Sequence, residues 1–180
     1  IPSHVKSSFL NFVIVFLLNI QLLYQTIDLK STLFRKKIEI NLEVFETVAD
    51  LPFSIQKLMN KAHEARDKAY APYSSFKVGA ALQLNSGEII TGNNQENAAY
   101  PSGLCAERVA IFYAVSQYPE ATIHSIAISA KSLHSKITKA VPPCGACRQV
   151  LAEYEVKQNS LIEIYFMGES GKVVKSNSVK

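Results

Sequence analysis

A chain of 180 residues, 48% hydrophobic and 19% charged, has the size and composition of one globular domain with its own core, which excludes a disordered or fibrous protein. The net charge of +4 gathers largely in Arg35-Lys36-Lys37 and a lysine-containing tail, so no basic face is expected and nucleic acid is not an expected partner. The three cysteines, Cys105, Cys144 and Cys147, are too few and odd in number for a disulfide framework and point to a reducing compartment.

Residues 9–24 are almost wholly apolar, interrupted by Asn11, Asn19 and Gln21. This run is shorter than the roughly 20 residues of a membrane span. His4 and Lys6 precede it as in a signal peptide, but no small-residue cleavage site follows, and the chain opens on Ile. Three readings stand: upstream or fragment sequence, a membrane anchor through residues 9–24, or an added packing helix. Residues 1–35 are therefore set apart as an apolar N-terminal extension, and residues 36–180 are taken as the domain. Cytoplasmic location is the expectation, with membrane tethering as the alternative.

From Leu51 the pattern turns regular. Pro52 sits where a first helical residue would, and Ile55, Leu58, Met59, Ala62, Ala65 and Ala69 recur at helical spacing until Pro72 bounds the segment. Residues 76–84 alternate loosely enough for a strand, Asn85-Ser86-Gly87 predicts a hairpin turn, and residues 88–91 return. Residues 105–118 predict a helix with Val109, Ala110, Ile111, Ala114 and Val115 inward, stopped before Pro119. A buried strand over 123–130, a short helix over 144–154 and a strand over 161–166 follow, and a short edge strand is expected after Gly168 and Gly171. This alternation predicts an α/β layered domain with a mixed sheet.

The cysteines carry the chemistry. Cys144 and Cys147 follow Pro142-Pro143, and a helix starting near Cys144 would put both thiols on one side, where its positive end favours thiolate. Cys105 opens its own predicted helix, so two helix starts facing one another offer three sulfurs to one ion. Three protein ligands rather than four is the count of a catalytic zinc site, whose last position is left for water. His124 and His134 lie in or just after a predicted strand and read as exposed or satisfied histidines. A C-x-x-C alone also fits a redox dithiol or half of a structural zinc ribbon, but Glu107, two residues after Cys105, is placed for proton transfer without binding the metal. A first-turn carboxylate complementing the helix dipole is the other reading of Glu107.

The motifs CAER at 105–108 and PCGACRQ at 143–149, with YSSFKVGAA at 73–81 and GNNQENAAY at 92–100, resemble the small homotetrameric cytidine deaminases, from about Leu51 to Phe166. The resemblance implies a three-layer α/β/α domain with a mixed central sheet of about five strands, and a homotetramer. It implies Zn²⁺ held by Cys105, Cys144 and Cys147, and hydrolytic deamination of cytidine and deoxycytidine in pyrimidine salvage. By that mechanism hydroxide on the metal attacks C4, while Glu107 takes the water's proton, delivers one to ring N3 and protonates the departing ammonia. Arg108 resembles the arginine that hydrogen-bonds the ligand sulfurs, with Arg148 a second candidate. Asn94 and Glu96 are implied at the ribose 3′-hydroxyl, Phe76 against the pyrimidine, the Ala106 backbone at the base's polar edge, and Tyr100 in a segment that reaches a neighbouring subunit's pocket.

The chain departs from the family pattern at both ends. It stops at Ser178-Val179-Lys180, where the resemblance implies a Leu-Pro segment and a pocket-closing phenylalanine, so an incomplete C-terminus or a more open pocket is expected. The apolar N-terminus is the second departure. A deaminase of a cytosine-nucleoside antibiotic and a catalytically silent zinc-binding module are the alternative functions. A deaminase of single-stranded nucleic acid fits less well, since His is typical where Cys105 stands.

Overall fold

Alternating side chains on the central strands dictate how the domain is layered. In the computed structural model, which describes residue 37 and residues 39–179, the strand Phe76–Leu84 (β2) points Ala80, Leu82 and Leu84 to one face and Ala81 to the other. The apolar run at residues 9–24, with its three readings, lies outside the described residues. Lys37 and Glu39 form an exposed ion pair, and a separate compact unit begins at Ile40.

Within that unit the elements run Leu42–Phe45 (β1), Phe53–Asp67 (α1), β2, Ile89–Asn93 (β3), Ala106–Gln117 (α2), Ile123–Ser132 (β4), Gly145–Gln158 (α3), Glu163–Met167 (β5) and Val173–Ser176 (β6). Among the described residues, six strands form one sheet in the order β1-β6-β5-β4-β2-β3. All neighbours are antiparallel except β4 and β5, and α3 supplies the crossover that a parallel pair needs. The sheet is mixed as expected, with one strand beyond the expected five. That strand is β1, whose Leu42 and Val44 stay half exposed; it is held at the edge by pairing with β6 and by a Lys175–Glu43 ion pair at 3.2 Å.

The predicted first helix ends at Asp67, well before Pro72. Tertiary pairing wins there: Tyr70 N–H donates to the Asn94 carbonyl at 3.1 Å, and Glu96 N–H donates to the Tyr70 carbonyl at 2.9 Å. These bonds draw the chain after α1 alongside residues 94–96. The third helix runs four residues past the predicted 154 and closes on Asn159 in the left-handed conformation, φ 50°.

One face of the sheet packs Ala81, Ala127, Tyr165, Met167 and Val173 against Ile55, Leu58, Met59 and Ala62 of α1. The other packs Leu82, Ile126, Ile128, Ile164 and Phe166 against Ala106, Ala110 and Ile111 of α2 and Leu151 of α3. Each fully buried aliphatic side chain contributes about 1.5–3 kcal/mol to holding these layers. Val109 and Val115, expected inward, are half-buried, and Ala106 and Glu107 join the buried side instead. Two glycines set the spacing between layers: a Cβ on Gly79 would lie 2.1 Å from the Ala62 carbonyl of α1, and one on Gly92 would lie 2.5 Å from the Ala106 carbonyl of α2. The layers therefore bring the start of α2 hard against β3.

Candidate active site

Two helix starts, those of α2 and α3, converge on one cavity. Cys105 is the N-cap of α2 and Cys144 the N-cap of α3, both with extended backbone, while Cys147 lies in the first turn of α3. The proline pair before Cys144 favours extended backbone at Val141 and Pro142, on the approach to α3. The three sulfurs lie within 4.8 Å of one another, and Cys105 Sγ is 3.8 Å from Cys144 Sγ. Tetrahedral Zn–S bonds of about 2.3 Å would place two sulfurs about 3.8 Å apart, so the donor set fits Zn²⁺. Among the described residues no histidine, aspartate or glutamate joins this group, and His124 and His134 are exposed.

The electrostatics favour shedding the Cys105 proton. A hydrogen bond from Cys147, together with bonds from Arg108 and Cys144 and despite partial burial, pulls the Cys105 thiol down to about 5. Cys147, fully buried and donating to Cys105, is pushed up instead. The positive end of α2 adds to the pull on Cys105, its N-cap. Arg108 donates from Nη2 to Cys105 Sγ at 3.5 Å, and its buried Nε has no hydrogen-bond partner. A guanidinium donor is thus left over beside the sulfurs, where thiolates would accept it. Of the two arginines proposed from sequence, Arg108 touches a sulfur, while Arg148 is exposed on the first turn of α3.

Glu107 sits on the first turn of α2 and is only 4% exposed. Burial raises its pKa above the ordinary carboxylate range, and the charge on Cys105 adds to the rise; its own amide, Cys147 and Arg108 act in the opposite sense. Such a group can hold or release a proton nearer neutrality.

A cavity of about 430 Å³ opens onto these groups, lined by Phe76, Asn94, Glu96, Cys105, Glu107 and Cys144 among others. Ala106 is buried as the first residue of α2, so its backbone amide is one of the unpaired donors of a helix start. Asn94 is anchored at both ends of its amide: Oδ1 accepts Val78 N–H at 2.7 Å and Nδ2 donates to the Phe76 carbonyl at 2.9 Å. Glu96 accepts Tyr73 N–H at 2.9 Å and Ser74 N–H at 3.2 Å on Oε2. Tyr100 is 85% exposed and lines a second cavity of about 250 Å³ that shares Asn94, Glu96 and Cys105 with the first.

Sequence reasoning did not single out Ser74, Val78, Ile128, Val141 and Pro142, which also line the larger cavity. Ser74 was within reach, since it stands in the YSSFKVGAA motif and short Ser-x-Phe segments commonly bind their own backbone. The other four carry no polar signal, and only the fold turns them toward the cavity.

Comparison with known proteins places this geometry. A family model described as the cytidine and deoxycytidylate deaminase zinc-binding region matches residues 53–162. The cytidine deaminase of Halalkalibacterium halodurans is 48% identical over 98 residues, 54% of this chain and 70% of that protein. That of Sporosarcina psychrophila is 39% identical over 126 residues, 70% of this chain and 86% of that protein. A crystal structure of cytidine deaminase from Burkholderia pseudomallei is similar with a TM-score of 0.57 at 39% identity, covering 67% of this chain and 91% of that one.

Proposed function

The chain belongs to the cytidine and deoxycytidylate deaminase family, and on that premise we propose that it hydrolyses free cytidine and deoxycytidine to uridine or deoxyuridine and ammonia. One observation carries this reading: a buried carboxylate, Glu107, lines the same cavity as thiols of a three-cysteine cluster sized for Zn²⁺. Cys105, Cys144 and Cys147 would hold Zn²⁺, which when bound would acidify a water as the nucleophile for C4. Glu107 would take a proton from the attacking water and pass it to ring N3, then take the proton of the new C4 hydroxyl and pass it to the amino group, which leaves as ammonia when the C4–N bond breaks. The burial of Glu107 at the cavity that Cys105 and Cys144 also line places it for these transfers. Arg108 offsets the negative charge of three thiolates.

The cavity is in the size range of small-molecule sites. In it Phe76 packs on the pyrimidine, the Ala106 amide meets the polar edge of the base, and Asn94 and Glu96 bind the ribose 3′-hydroxyl. Arg148 stays a second candidate for supporting the sulfurs. The protein acts as a homotetramer in which Tyr100 reaches a neighbour's pocket, a reading supported by that ring's exposure beside the second cavity. Residues 36–180 make up the deaminase domain, and the three free cysteines fit the reducing cytoplasm, where pyrimidine salvage takes place.

The test is Glu107→Gln. Zinc content should equal that of the parent protein, and turnover of cytidine, followed by ultraviolet absorbance, should fall by at least about 10³-fold. Substantial activity in the zinc-replete variant removes Glu107 from the chemistry.

A further inference from the structure

The segment that follows Tyr73 is shaped around Glu96. Besides the two backbone amides, the Ser74 hydroxyl donates to Glu96 Oε1. The same hydroxyl oxygen accepts Phe76 N–H at 3.0 Å. One side chain therefore joins Glu96 to Phe76. The turn that allows this is costly, because Ser75 adopts a left-handed φ of 55° without being glycine. It is secured on both sides, with Ser75 N–H donating to the Ala71 carbonyl at 3.1 Å and Leu133 N–H donating to the Ser75 carbonyl at 3.0 Å.

A carboxylate offers about four acceptor positions. Tyr73 N–H, Ser74 N–H and the Ser74 hydroxyl occupy three in Glu96, which leaves room for one further donor. Asn94, by contrast, is clamped to Val78 and Phe76 and owes nothing to Ser74. We propose that Ser74 is the positioning residue for sugar recognition: it fixes the Glu96 carboxylate so that its remaining acceptor meets the 3′-hydroxyl. This rests on the deaminase reading above and assigns the sugar selectivity of that site to a residue that acts through Glu96. Without the hydroxyl, Oε1 turns to solvent and must be reordered each time a nucleoside binds.

The experiment compares competitive inhibition of cytidine deamination by uridine and by 3′-deoxyuridine, using the zinc-loaded full chain. In Ser74→Ala the inhibition constant of uridine should rise about tenfold, the scale of one lost hydrogen bond to a charged group. That of 3′-deoxyuridine should stay within about twofold, as should kcat for cytidine. Ser74→Thr, which keeps the hydroxyl, should restore uridine binding, and in a Glu96→Ala background Ser74→Ala should add nothing. An equal rise for both inhibitors makes Ser74 a general support of the loop and overturns the proposal. So does an unchanged uridine constant, a Thr variant that behaves like Ala, or an additive effect on Glu96→Ala. Failure of the zinc-loaded parent chain to release ammonia from cytidine instead overturns the deaminase reading, and this inference with it.

Discussion

Adding one methyl group to β3 should disable the site without touching a proposed catalytic residue. In Gly92→Ala the new Cβ would stand 2.5 Å from both the Ala106 carbonyl oxygen and the Ala110 amide nitrogen. Both are backbone atoms of α2, so no rotamer change can relieve the clash. Reaching the 3.4 Å of ordinary contact requires strand and helix to part by about 0.9 Å. Gly92 is held on its other side by pairing with Ala80, so α2 is the element that moves. Cys105 and Glu107 flank Ala106 and move with it, and a misplacement of about 1 Å costs on the order of 100-fold in rate. Overpacking of this kind costs about 1–3 kcal/mol, or about 2–4 °C of Tm per kcal/mol in a chain of this size. Cytidine kcat/KM, zinc content and thermal melting measured on one preparation separate the two effects. Gly87→Ala is the control: its φ of 101° strains any other residue, but nothing lies within 4 Å, so stability should drop while kcat/KM holds. A Gly92→Ala protein with the parent's kcat/KM and Tm would refute the view that this contact spaces α2 from the sheet.

Arg108→Gln should retain zinc yet lower kcat about tenfold or more, the usual scale for a residue supporting metal ligands; unchanged kinetics would remove Arg108 from the site. Glu107 should cost stability in the metal-free protein. Its folded pKa lies above its unfolded value, so the proton-bound form stabilises the fold at acid pH, and that contribution is lost as pH rises through the folded pKa. Glu107→Gln stripped of zinc should therefore melt at the parent's temperature near pH 4 and above it by pH 7–8. A difference that shrinks as pH rises would reverse the assigned sign.

The chemistry of the site was legible because its spacings are local. Cys144 and Cys147 lie on the same side of a helix start for any chain that is helical there, since 3.6 residues make a turn. Cys105 followed two residues later by Glu107 likewise puts a thiol at the N-cap and a carboxylate in the first turn. The hairpin turn at Gly87 and the strand β2 were readable for the same reason, as positive φ and period-two alternation leave their mark residue by residue. By contrast, β1 was missed because its four short, half-exposed residues become a strand only through β6, more than a hundred positions on.

The amino-acid order by itself settled which residues are chemically equipped: three sulfurs, a first-turn glutamate, an arginine and an amide-rich segment. Only the folded sheet decided that Cys105 meets Cys144 across 39 positions and that Glu96 is gripped by Ser74 across 22. The division has one physical cause. Helix and strand periods fix the direction of side chains a few residues apart, whereas contacts between distant segments depend on strand register, layer spacing and loop closure, which the whole core must agree on at once.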